Sequence, residues 1–185
     1  MKNEININSD GINVYVIMEI RIHNGLKVVL VGVTITVIVL LVFLLSMLDV
    51  KEEPKLIFPM VTIPLLVFYF LVRYTLWNLF GKENLIINTK SISSNFEYGW
   101  YKTNLKTILI DRLGFGQEFV REFELVKYGN LNLYNYDKLT HLPEVIYSTS
   151  IELTLDEIKE IENKISEIFI DEFREVNKFT PFSEN

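Results

Sequence analysis

Two long apolar stretches without polar alternation dominate the first half of the chain, and short alternating segments fill the second. Val28 to Leu48 is unbroken by a charged side chain. As a helix it would be roughly 32 Å long, against a bilayer hydrocarbon core of about 30 Å. It is too long for the apolar segment of a secretion signal, it starts late, and no small-residue cleavage site follows it, so a retained helix is expected. Leu56 to Tyr74 forms a second span, with Pro59 and Pro64 in its first half and Arg73 near its far end. The long Arg73 stem lets the guanidinium reach the headgroups, and Tyr74 and Trp77 fall where an interfacial aromatic belt belongs. The connector Asp49–Lys55 is short and polar. It predicts an antiparallel hairpin with both flanking segments on one side.

From Glu83 the period changes. Leu85–Ile87, Ile92–Tyr98, Trp100–Thr103, Lys106–Ile110, Phe119–Tyr128 and Glu144–Leu153 read as strands. Gly129-Asn130 reads as the two-residue turn of a hairpin, with Leu131–Tyr136 as its return strand. Thr154 and Glu157 make a capping box, and Leu155, Ile158, Ile161, Ile165, Ile168, Phe169 and Phe173 form one apolar helix face opposite an acidic one. Before the spans, Glu4–Ile7 and Ile12–Ile22 flank Asn8–Gly11 as a β-hairpin that could join the later sheet. The expected fold class is a membrane α-helical hairpin plus an α+β, mainly-β soluble domain. That domain is an antiparallel sandwich or barrel capped by a C-terminal amphipathic helix. The expected boundaries are residues 1–25 for the N-terminal hairpin, 26–80 for the transmembrane hairpin, 81–178 for the soluble domain and 179–185 for a tail.

Composition sharpens this division. Of 185 residues 49% are hydrophobic and 23% charged, so the apolar residues must be concentrated, and they are. The net charge of −6 falls entirely after residue 79, because acidic and basic side chains balance before it. An acidic soluble part argues against nucleic acid as a partner. Arg21, Lys27, Arg73 and Lys82 flank the spans against Lys51 and Lys55 in the connector, which favours cytoplasmic termini. The chain has no cysteine, which removes disulfides and thiolate chemistry together.

Candidate chemistry is sparse. His23 and His141 are isolated, so the sequence shows no zinc-ligand spacing. Asp137 and His141 read as a solvated loop pair rather than a catalytic one. Gly114-Phe115-Gly116 lacks the setting of a phosphate loop and reads as a flexible turn. Lys82, Lys90, Lys102 and Lys106 lie near the membrane exit and could contact anionic headgroups, at about 1 kcal/mol each. No catalytic residue, cofactor or metal is expected.

Leu76-Trp77-Asn78-Leu79-Phe80-Gly81-Lys82-Glu83, with Gly99, Lys102 and Leu105 after it, resembles bacterial membrane proteins in which a helical hairpin leads into a pleckstrin-homology-like domain. The resemblance covers roughly Tyr74 to Arg112. It implies a seven-stranded bent sheet closed by a helix, with no enzyme activity and no site residues to carry over. The expectation is a two-pass protein of a bacterial inner membrane whose soluble domain acts as an interaction or scaffold module at the cytoplasmic face. Its partners would be the bilayer, a protein not identified by the sequence, and other copies of itself through Gly32, Thr34 and Thr36. The alternative is a small immunity or stress-response protein that binds a toxin.

Overall fold

The computed structural model describes residues 3–46, 57–140 and 142–176. The connector Asp49–Lys55, Leu56, His141 and the tail 179–185 lie outside these residues, as do the side chains from Ile170 on, Phe173 included. The chain divides into two compact units. One comprises Ile20–Lys82 with Glu97–Lys102; the other comprises Asn3–Glu19, Glu83–Phe96 and the chain from Thr103.

The first unit is built on two helices, α1 (Asn24–Ser46) and α2 (Ile57–Phe80). Both are long and apolar enough to cross a membrane. His23 starts α1: its Nδ1 accepts from Gly25 N–H at 3.2 Å and its carbonyl accepts from Leu26 and Lys27. Pro59 occupies the first turn of α2, where no N–H is needed, whereas Pro64 lies inside the helix. α2 continues past Tyr74 to Phe80, so the helix is longer than the span read from the sequence. Leu76, Trp77 and Leu79 keep the helical run going, and nothing before Gly81 breaks it.

The two helices meet through hydroxyls. Thr34 Oγ1 and Thr75 Oγ1 lie 2.7 Å apart and both side chains are buried. Thr34 also bonds the Leu30 carbonyl at 2.8 Å, which uses its one proton, so Thr75 is the donor between the helices. Gly32 and Thr36 face outward. Thr34 therefore serves the pairing of α1 with α2 and is not free for lateral association.

The second unit holds most of two antiparallel sheets and a helix. The five-stranded sheet has the order β1 (Glu4–Ser9), β2 (Asn13–Glu19), β3 (Gly81–Asn88), β4 (Ser91–Tyr98), β5 (Lys106–Leu109). β1 pairs with β2 from Glu4 opposite Glu19 to Ser9 opposite Val14. Asp10 closes their turn, accepting from Ile12 N–H, Asn13 N–H and the Tyr15 hydroxyl. Those donors hold its carboxyl well below the usual carboxylate range. The second sheet contains β6 (Leu113–Phe123), β7 (Val126–Tyr136) and β8 (Pro143–Ser148), with β9 (Leu153–Thr154) also paired to β7.

Three expectations fail here, each for a local reason. The hairpin turn is Glu124-Leu125, with φ of 51° and 65°, and Gly129-Asn130 lies inside β7. Gly129 is needed for close approach instead: a Cβ there would stand 2.6 Å from the Glu118 carbonyl, beside the bulge between Phe119 and Arg121. Gly114 and Gly116 are strand residues, not a turn; the rings of Tyr136 and Tyr134 cover them, 2.5 and 2.7 Å from where a Cβ would be. Glu144–Leu153 is not one strand, because the chain turns away from β7 after Thr149, whose N–H still donates to the Leu131 carbonyl, and rejoins it as β9 at Leu153.

The core is aliphatic. Val14, Val16 and Met18 of β2, Leu85 and Ile87 of β3, and Leu131 and Leu133 of β7 are all fully buried. Burial of each such side chain contributes about 1.5–3 kcal/mol. α3 (Leu155–Val176) packs Ile158, Ile161, Ile165 and Ile168 inward and touches β1, β2, β7 and β9. Its cap forms as the sequence predicts: Thr154 N–H donates to Glu157 Oε2 at 2.7 Å, and Glu157 N–H to Thr154 Oγ1 at 3.3 Å.

Candidate membrane-interface site

Gly81 marks the end of α2 because nothing larger fits. A Cβ there would lie 2.2 Å from the Trp77 carbonyl and 2.8 Å from its ring. The indole of Trp77 is thus fixed by the turn from helix to strand as well as by its neighbours. Its ring stands 5.2 Å from that of Tyr98, which in turn lies 6.1 Å from Tyr101. Tyr98 ends β4 and Tyr101 follows it in a tight turn, where the sequence predicts a strand at Trp100–Thr103. Tyr98 N–H donates to the Tyr101 carbonyl at 2.7 Å, and Gly99 has φ of +80°, which a glycine adopts without steric cost. Glu97 and Lys102 close the base of the turn with a β-bridge and a 2.6 Å ion pair.

Arg73 reaches this turn. Its Nη2 donates to the Tyr98 hydroxyl at 3.1 Å, 25 residues later in the chain. The guanidinium that the sequence places near the headgroups thus has a phenol for a partner. The end of α2 lies about 10 Å beyond Arg73 at 1.5 Å per residue. Tyr74, by contrast, points outward and is exposed.

The four lysines do not form one cluster. Lys102 is paired with Glu97. Lys82 is the second residue of β3 and is half-buried. Lys106 stands opposite Ser94 at the start of β5, while the Lys90 carbonyl accepts from Ile110 N–H past its other end. Lys90 and Lys106 are therefore separated by the length of β5, about 13 Å at strand rise.

Sequence reasoning passed over Glu83. It lies in β3 on the same face as Leu85 and Ile87 and is fully buried. Its carboxylate accepts the Tyr147 hydroxyl at 2.5 Å, Ser150 N–H at 2.9 Å and Ile151 N–H at 3.2 Å. The last two donors are the amides freed where the chain leaves the sheet after β8. Burial raises the Glu83 carboxyl above its ordinary value against the pull of these donors. Burial, then the neighbouring Glu83 charge, raises the Tyr147 phenol as well. The signal was present in the sequence: parity with Leu85 and Ile87 places Glu83 on the core face.

A second feature lay beyond the sequence reading. Residues 117–127, the outer parts of β6 and β7 with their turn, are exposed on both faces. They carry Phe119, Phe123 and Val126, with Leu125 at the tip 93% exposed. Two non-glycine residues in the left-handed region cost roughly 1–2 kcal/mol each.

Among the described residues no group of three or more His, Asp or Glu side chains is placed to hold a metal ion. Asp137 closes its own turn, accepting from Leu139 and Thr140 N–H at 2.8 Å each. Comparison of the sequence with protein-family models and with curated proteins gave no match.

Proposed function

We propose that this chain is a non-enzymatic, membrane-anchored interaction module, a two-pass protein at the cytoplasmic face of a bacterial inner membrane. One observation carries the reading. The helices are long enough to span a bilayer, and their apolar side chains point outward, with Val28 73% and Phe58 78% exposed. In a soluble protein a helix this apolar is buried; left bare in water, this surface would far exceed the patches soluble proteins tolerate. A second point favours both flanking segments on one side. Residues before α1 and after α2 belong to one compact unit, which needs an even number of crossings.

In this reading the soluble part is pleckstrin-homology-like. The seven strands β3–β9 followed by α3 match that element order, with β1 and β2 added to the first sheet. The exposed β6–β7 arm is the surface offered to a protein partner. Two measurements test the proposal. The intact chain should stay with vesicles through a carbonate wash. Single cysteines at Ile12 and Leu139, both exposed, should react with an impermeant maleimide only once the cytoplasmic side is opened. Release by carbonate overturns the anchoring, and labelling from the outside overturns the orientation.

A further inference from the structure

An open cavity of about 370 Å³ lies between the last turn of α2 and the turn at Gly99, lined by Leu76, Phe80, Gly99 and Trp100. We propose that it seats an acyl chain of a phospholipid in the host leaflet. The inference rests on the membrane reading above and adds a ligand and a place to it.

Leu76 and Phe80 are one helical turn apart and continue the row Phe68, Val72 along α2. Phe68 and Phe80, at the two ends of this row, are exposed, so the cavity opens at the outer surface of α2. Gly99 forms its floor, close enough that a Cβ would stand 3.3 Å from Phe80. Trp100 also lines it and is 86% exposed, so little of its indole is covered by protein. The space far exceeds one water, whose share of liquid volume is about 30 Å³.

The chemistry of the lining selects the occupant. None of the three lining side chains accepts a hydrogen bond, and the only polar hydrogen among them is the indole N–H. A peptide would bring backbone amides and carbonyls that such walls leave unpaired, at a cost in free energy. A hydrocarbon chain brings none. The lining itself carries no charge, and Glu97 and Lys102 of the turn pair with each other, so the seat takes the acyl chain whatever its headgroup.

The test uses the full chain in phosphatidylcholine vesicles. Trp77→Phe leaves Trp100 as the single tryptophan of two. Phosphatidylcholine brominated at shallow acyl carbons should quench Trp100 emission at least twofold, and aqueous iodide should quench it little. Adding phosphatidylglycerol should leave the quenching unchanged. Full iodide quenching with no effect of bromolipid overturns the proposal, and so does quenching that requires phosphatidylglycerol. Because Trp77 packs on Tyr98, a polarity-sensitive dye on Trp100→Cys, the sole cysteine of that variant, repeats the measurement without touching Trp77. Its emission should shift to the blue on reconstitution, and a water-like emission overturns the proposal. Efficient disulfide crosslinking of Trp100→Cys copies also overturns it, in favour of a second protein chain on the seat. Val39→Trp with both native tryptophans replaced by Phe separates the two readings. If deep bromines quench that probe but Trp100 stays unquenched, the seat alone fails. If neither probe is quenched, the anchoring fails with it.

Discussion

The helical pair and the sheet body sort the same residue types in opposite directions. Along α1 and α2 most aliphatic and aromatic side chains are exposed, and among the described residues the buried side chains are the threonines Thr34 and Thr75. In the body Leu85, Ile87, Leu131 and Leu133 are buried without remainder. The difference shows that apolarity alone does not define a core. What a region buries is whatever its surroundings solvate worst: hydrocarbon in water and, in the membrane reading proposed above, hydroxyls in lipid.

Four changes probe this contrast. Leu131→Ala should destabilise the body by about 2–5 kcal/mol, whereas Val39→Ala on the outward face of α1 should cost under about 1 kcal/mol. Thermal unfolding of the reconstituted chain, followed separately in sheet and helix signals, measures both. Equal costs would erase the distinction. Gly81→Ala places a methyl against the Trp77 carbonyl and should cost about 3 kcal/mol. Gly11→Ala meets no atom within 4 Å and should cost only the left-handed backbone penalty of roughly 1–2 kcal/mol.

Tyr147→Phe leaves Glu83 without its hydroxyl donor and should cost about 1–3 kcal/mol. The pH dependence of this site follows from the raised carboxyl. With the folded value above the unfolded one, the contribution of Glu83 is fully present below the ordinary glutamate range. It is lost as pH rises through the raised value. The stability difference between wild type and Glu83→Gln should therefore grow on acidification from neutral pH and level off near 4.5. A difference that shrinks on acidification would show that the three donors outweigh burial. Thr75→Val, the smallest effect, should weaken the helix pair by about 0.6 kcal/mol, read as dissociation of α1 from α2 by energy transfer.

Much of this architecture is legible in the sequence where one cause acts alone. The charge-free run from Val28 admits one outcome, and the Thr154–Glu157 box with its isoleucine stripe fixes the start and buried face of α3. Legibility fails where one residue type has two uses. Gly129-Asn130 has the composition of a hairpin turn, yet Gly129 is there because the Glu118 carbonyl leaves no room for a Cβ. The true turn, Glu124-Leu125, carries no turn chemistry and is imposed by the pairing of β6 with β7 on either side. At Arg73 the sequence gives the charge and the helix but not the phenol of Tyr98, which only the fold brings near. Glu83 is intermediate, since its parity is visible and its three donors are not.

The contact of α3 with β1 and β2 has a consequence for biosynthesis. The N-terminal strands leave the ribosome before either span, and the helix that covers them is made after β9. At about 5–20 residues per second, the early hairpin waits on the order of ten seconds for its cover. During that interval Val14, Val16 and Met18 have no α3 to shield them, so the nascent chain presents a greasy ribbon while α1, α2 and the later strands are still being made.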